Sequence, residues 1–185
     1  MKLSQPLVRI TDYSVAAIAA ALPDAADPLW DTDRFRQTTY PVHRLTRSIL
    51  FAWLDNDWRL GGPMTVHHYD YPPAALARAV QDCADRMLDF YPGARLARMT
   101  LAELPAGAKI AAHMDNGIGI TAVHRMHAPV LTNPDVHFFI DKVSHYLEAG
   151  GIYEFDNTRL HAVDNRSGER RVHLMCDLMP AALVV

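Results

Sequence analysis

From Ala94 to Leu178 the chain reads as a succession of strand-sized runs, and this pattern constrains the fold more than any other feature. The runs are Ala94 to Leu104, Lys109 to Asp115, Ala122 to Leu131, His137 to Lys142, Ser144 to Leu147, Gly151 to Phe155, Leu160 to Asn165 and Arg171 to Leu178. Turn signals at Pro105-Ala106-Gly107, Thr132-Asn133-Pro134-Asp135, Ala149-Gly150-Gly151 and Arg166-Ser167-Gly168 separate several of them. Short strands punctuated in this way close into a sandwich or barrel, and about eight of them suit a jelly roll, whose mouth can hold a ligand. No internal repeat or low-complexity segment interrupts the pattern.

The upstream half is different. Ala74 to Tyr91 has the strongest helical signature: Pro72-Pro73 opens it, Leu76, Val80, Cys83, Met87 and Leu88 recur at helical spacing, and Pro92-Gly93 closes it. Such a stripe packs a helix on a sheet. Leu7 to Ile10 reads as a short strand, Ser14 as the cap of an alanine-rich helix running to Leu22, and Arg47 to Leu54 as a buried strand turned by Asp55-Asn56-Asp57. Asp24 to Pro41 is irregular, with Trp30, Phe35 and Tyr40 as anchors of a long loop over the core. The expected architecture is mainly β (α+β), a jelly roll with N-terminal helices packed outside. It forms a single domain over 1–185, in which 1–93 buttresses a core at 94–180.

Composition narrows the function classes. Half of the residues are hydrophobic and 21% are charged, so the chain folds. A net charge of -3 without a basic run gives no case for nucleic acid or an anionic membrane as partner. The N-terminus lacks the apolar core of a signal peptide and no run reaches membrane-spanning length, so a cytoplasmic location is expected. Cys83 and Cys176, one in a helix and one in a strand, suit reduced core thiols better than a disulfide.

The chemistry concentrates at His113-Met114-Asp115 and His161. In an extended strand, residues i and i+2 leave the same face, so His113 and Asp115 enter one space while Met114 points away. With His161 they make two imidazoles and a carboxylate, the facial triad of non-haem iron(II) oxygenases, which leaves positions free for substrate and oxygen. His67 and His68 are adjacent, face opposite sides of a strand, and are expected at the surface rather than on one ion. A hairpin centred near Arg166 and Ser167 places Arg171 opposite His161 in the same pocket, where its planar fork suits a dicarboxylate. Arg170 has the opposite parity and is expected to face solvent.

The segment Gly151-Ile152-Tyr153-Glu154-Phe155-Asp156-Asn157-Thr158-Arg159-Leu160-His161-Ala162-Val163-Asp164-Asn165, followed by Arg171, resembles the aspartyl/asparaginyl β-hydroxylases, as does Arg125-Met126-His127 downstream of His113. These are iron(II)- and 2-oxoglutarate-dependent oxygenases of double-stranded β-helix fold, and the resemblance spans roughly Leu96 to Pro180. It implies His113, Asp115 and His161 on Fe(II), Arg171 on the distal carboxylate of 2-oxoglutarate, His127 on the co-substrate and Arg125 on a substrate carboxylate. Asp115 makes the full three-ligand bacterial type the nearer match, since animal members that act on protein aspartates lack that carboxylate. Ala102 stands where some members carry a hydroxyl-bearing residue that helps to hold the co-substrate.

The implied activity is hydroxylation of a small-molecule substrate, an amino acid or amino-acyl side chain, using O2 and producing succinate and CO2. The glycines of Asn116-Gly117-Ile118-Gly119 suggest a loop that closes over substrate. Two other classes fit parts of the pattern: a cupin-type metalloenzyme without 2-oxoglutarate, which has no need of Arg171, and a non-catalytic β-barrel binding module, which has no need of the triad.

Overall fold

The computed structural model describes residue 3 and residues 5–184. Two antiparallel sheets face each other. The larger has seven strands, built from β1 (Leu7–Asp12), β2 (Arg47–Leu54), β3 (Val66–His68), β4 (Arg95–Leu104), β6 (His124–Leu131), β9 (Gly151–Phe155) and β11 (Arg171–Met179), in the order β1-β9-β6-β11-β4-β2-β3. The smaller has four, β5 (Lys109–His113), β7 (Val136–Ile140), β8 (Val143–His145) and β10 (His161–Asn165), in the order β5-β10-β7-β8. This is the expected jelly roll, with helices against one outer face.

Strand alternation divides the large sheet's side chains between two environments. On the outer face Met99, Leu101, Met126, Ala128, Leu174 and Cys176 are buried beneath helix α3 (Ala74–Leu88). The helix turns Leu76, Val80, Cys83, Ala84 and Met87 towards them, and Ile18 of α1 (Ala16–Ala21) joins the same cluster. Each fully buried Leu, Val or Met is worth about 1.5–3 kcal/mol, so this layer is the main apolar core. Both cysteines are free and buried within it. The chain leaves α3 through Gly93, at φ +79, where an added Cβ would come within 2.9 Å of Ala181 Cβ, so a side chain is excluded on both counts.

Between the sheets lies a second cluster, in which Leu104, Tyr153 and Phe155 of the large sheet meet Ile110, Phe138 and Val163 of the small one. The inward rows of the large sheet also carry polar residues, and register fixes their neighbours. Ser48 pairs with Ala102 and Ala102 with His173; Arg98 pairs with Asp177 and Asp177 with Arg125.

Several local expectations change. No side chain caps α1: its N-cap is Val15, so Ser14 does not serve as one. The stretch expected as loop holds a 3-10 helix, Pro28–Asp31, which buries Trp30 completely, and α2 (Phe35–Thr39); the Asp27 and Asp33 carboxylates initiate these turns by accepting from Leu29 N and Phe35 N, both at 2.8 Å. β10 and β11 do not form a hairpin. They belong to opposite sheets because the chain crosses the barrel at 166–170, a turn held by Asn165, whose amide donates to Leu104 O, Pro105 O and Glu169 O. Arg171 is therefore paired with Leu104, not His161. Arg170 is covered rather than solvent-facing, since its guanidinium donates to Pro23 O at 2.9 Å and lies over Trp30.

Candidate active site

His113 ends β5 and His161 begins β10, and the two are register partners with ring centroids 4.2 Å apart. Each Nδ1 lies 2.9 Å from a backbone carbonyl two residues upstream, Ala111 O for His113 and Arg159 O for His161. A carbonyl only accepts, so each Nδ1 carries the proton and each Nε2 presents a lone pair, the tautomer a metal ligand needs. Burial, which outweighs the hydrogen bond to Arg159, lowers the pKa of His161 and favours its neutral form.

Asp115 lies just beyond the end of β5, with its backbone N–H on Asn157 O at 3.1 Å. Its Oδ2 accepts from Asn157 Nδ2 at 3.0 Å and from Arg125 Nη1, leaving Oδ1 3.8 Å from His113 Nε2. Burial raises this carboxyl's pKa, but Arg125, the Asn157 hydrogen bond and the histidines together overcome it and hold it below the ordinary value. Candidate ligand atoms of His113, Asp115 and His161 lie within 4.8 Å of one another, the one such cluster among the described residues. Two imidazole lone pairs beside one carboxylate oxygen fit iron(II). His67 and His68 are exposed on β3, away from this group.

Arg125 is committed to the protein's own acids. Its Nε and Nη2 fork onto the two oxygens of Asp177, each at 2.8 Å, while Nη1 takes Asp115. Arg98 adds a 3.4 Å contact to Asp177 and donates to Gly119 O at 2.6 Å. Asn157 Nδ2 also reaches Ile120 O at 2.8 Å. The turn after the triad, which includes the short helix α4 (Ile118–Thr121), is thus tied down at two carbonyls rather than hung on free glycines. A cavity of about 720 Å³ opens beside the cluster, bordered by Phe35, Arg36, Trp53, His113, Asp115 and Arg125.

Arg171 and His127 lie deeper. Arg171 is buried and donates from Nη2 to His173 Nδ1 at 2.5 Å; His127 Nδ1 is 3.3 Å from that same nitrogen. His173 Nδ1 is then the acceptor for both, and His127 keeps its proton on Nδ1. Burial, reinforced by Arg171, pushes both imidazoles far below the ordinary value. Neutral when folded and titrating near 6.5 when unfolded, each histidine makes the unfolded chain take up more protons as pH falls. Their stability contribution is complete above about pH 6.5 and is lost below it, at about 1.4 kcal/mol per pH unit for each residue. The urea midpoint of metal-free protein is expected to drop between pH 7 and pH 5; an unchanged midpoint would mean that these histidines charge in the folded state.

Asn157, Asp177, Arg98, His173 and Arg36 escaped the sequence reading. His173 and Asp177 share strand parity with Arg171, a signal that finds them once the strand is placed; Arg36 has none, because its position depends on how α2 docks.

A family model for aspartyl/asparaginyl beta-hydroxylases matches residues 77–180, more than half of the chain and all of the triad. The chain belongs to that family. Compared as a sequence, it matches no curated protein. Solved structures of similar fold include a viral collagen prolyl hydroxylase from Paramecium bursaria Chlorella virus-1 in complex with 2OG, at 10% identity and TM-score 0.56, covering 95% of this chain and 96% of that one. A Pseudomonas putida prolyl-4-hydroxylase aligns at 15% identity and TM-score 0.54, over 96% and 94%. An oxidoreductase of the 2OG-Fe(II) oxygenase family from Burkholderia pseudomallei aligns at 13% identity and TM-score 0.50, over 96% and 98%. These likenesses support the fold of this β-hydroxylase family member. No helix among the described residues is long and apolar enough to cross a membrane.

Proposed function

We propose that this protein is an Fe(II)- and 2-oxoglutarate-dependent hydroxylase of an amino acid or amino-acyl side chain. His113, Asp115 and His161 would hold the iron, and Arg171 the distal carboxylate of the co-substrate. The observation that carries this reading is the convergence of two Nε2 lone pairs and one carboxylate oxygen beside a cavity. When bound there, iron(II) with 2-oxoglutarate and O2 supplies the oxidising power to hydroxylate a C–H bond, with succinate and CO2 as products.

The chain's own residues position and shield. Asp115 brings the anionic ligand, and Arg125 with Asn157 pins its far oxygen so that Oδ1 is aimed at the cluster. Arg125 was expected on a substrate carboxylate; with its donors on Asp177 and Asp115, we assign it to holding Asp115, at the cavity's edge. Phe138 and Phe155 pack against His127 and His161 and keep water from the inner side of the site. Arg171 is a buried cation with no carboxylate beside it among the described residues, its pKa pulled down to about 9 by burial and then by Arg36. A ligand carboxylate there replaces lost hydration with charge-assisted hydrogen bonds. His127 Nε2, buried without a hydrogen-bond partner among the described residues, is assigned to the same co-substrate; to donate to a carboxylate the ring takes the tautomer with its proton on Nε2 and gives up its contact with His173 Nδ1.

The test is anaerobic titration of iron(II)-loaded protein with 2-oxoglutarate. The weak visible charge-transfer band of the chelate is expected in the wild type and lost in Arg171→Ala at the same concentrations. Iron binding without that band would replace this reading with a cupin-type metalloenzyme that does not use 2-oxoglutarate; no iron binding would leave a β-barrel binding module.

A further inference from the structure

The buried and half-buried arginines near the barrel fall into two groups. Arg125 and Arg98 face Asp177, while Arg47 and Arg170 face Glu103, with Arg47 Nη2 at 2.8 Å. Arg36 and Arg171 make no ion pair among the described residues, although both are buried. Each pulls the local potential the same way, and Arg36 is the charged neighbour acting on Arg171. Asp115 and Asp177 act on Arg36 from beyond ion-pair distance, Arg171 has no such acid among the described residues, and two cations buried in one region without a paired anion are costly unless an anion joins them.

We propose that Arg36 is a second guanidinium for the distal carboxylate of the co-substrate, with Ser48 supplying the hydroxyl that Ala102 lacks. The inference rests on the reading of the site as one that takes 2-oxoglutarate. Arg36 donates from Nη1 to Ser48 Oγ at 3.1 Å, and Gln37 Nε2 donates to the same oxygen, also at 3.1 Å. A hydroxyl has two lone pairs and one hydrogen, so Ser48, having accepted twice, keeps its O–H to donate. Ser48, Ala102 and His173 form one row across β2, β4 and β11, and Arg171 adjoins that row through its bond to His173. Ser48 and His173 are two strands apart, about 10 Å at ordinary strand spacing, with only a methyl group between them at Ala102. A carboxylate over that methyl meets Arg36 from one side and Arg171, whose Nε is buried without a partner, from the other. The hydroxyl is thus one strand over from its expected place, carried by a residue of the upstream half.

The experiment compares 2-oxoglutarate with pyruvate, which has the same chelating 2-oxo acid head but no distal carboxylate. Anaerobic titrations of iron(II)-loaded wild type, Arg36→Met, Arg36→Lys and Ser48→Ala would follow the chelate band with each. Arg36→Met is expected to weaken 2-oxoglutarate about 10- to 100-fold, the value of one or two charge-assisted hydrogen bonds, and to leave pyruvate unchanged. Ser48→Ala should weaken 2-oxoglutarate less, and Arg36→Lys should recover part of the loss. Unchanged 2-oxoglutarate affinity in Arg36→Met would overturn the proposal. Equal loss of both ligands would also overturn it, by assigning Arg36 to the fold. Absence of the band in the wild type would remove the 2-oxoglutarate reading itself and this inference with it.

Discussion

Replacing Asp115 with alanine is expected to abolish turnover and to weaken iron(II) binding by more than about 100-fold, beyond the 10- to 100-fold typical of an outer-shell partner. The two histidines offer neutral lone pairs, so Asp115 supplies the cluster's only negative charge, in a half-buried site where charge counts for more than in water. Its carboxyl is held ionised by Arg125 and Asn157 against the opposing effect of burial. The fold of the metal-free variant should change little, because Arg125 keeps its two-pronged contact with Asp177. Calorimetric titration with iron(II) under argon, beside urea unfolding without metal, separates these effects. An affinity equal to that of the wild type would place the metal elsewhere.

Arg125→Met should do the reverse and damage the fold first. It removes the centre of the chain Asp115–Arg125–Asp177–Arg98 and leaves Asp177, itself buried, with only the longer Arg98 contact of 3.4 Å. Breaking a buried pair from one side costs about 3–5 kcal/mol, or roughly 10 °C in Tm for a chain of this size. Asp115 also loses a principal group holding its pKa down, so iron binding should shift to higher pH. Arg36 and Arg171 make no ion pair among the described residues, and their replacement should cost far less stability. A thermal melt of Arg125→Met within about 2 °C of wild type would show that the ion-pair chain carries little of the fold's stability.

The contrast between these arginines also shows where sequence reading succeeds. His113 and Asp115 were legible because their relation is local, i and i+2 at the end of a strand, and His161 because the segment around it, 151–165, carries the family resemblance; its place across the ladder from His113 is a matter of register that the sequence does not show. The runs of β4, β6 and β11 and the stripe of α3 were legible because each has its own period. The hairpin from His161 to Arg171 was misread because Asn165-Arg166-Ser167-Gly168 announces a turn without saying whether the chain returns to the same sheet or crosses to the other. The partners of Arg125 were illegible for a related reason: Asp177 meets it only through the register of β6 on β11. Arg36 was beyond reach altogether, since a short helix with no apolar period gives no sign of the surface it will meet.

Strand β2 gives the upstream half a double task. It completes the hydrogen-bond ladder of β4, which lies inside the family's matching segment, while β2 itself and most of the cavity's aromatic rim lie before residue 77. Without it, β4 would present a bare row of backbone N–H and C=O groups. The boundary of family likeness is therefore not a boundary of construction. Phe35, Arg36 and Trp53 lie on or beside this strand of the large sheet, so a lineage that alters recognition at the cavity also edits the scaffold behind it. Selectivity here cannot be exchanged like a detachable cap; it has to drift within what the sheet will bear.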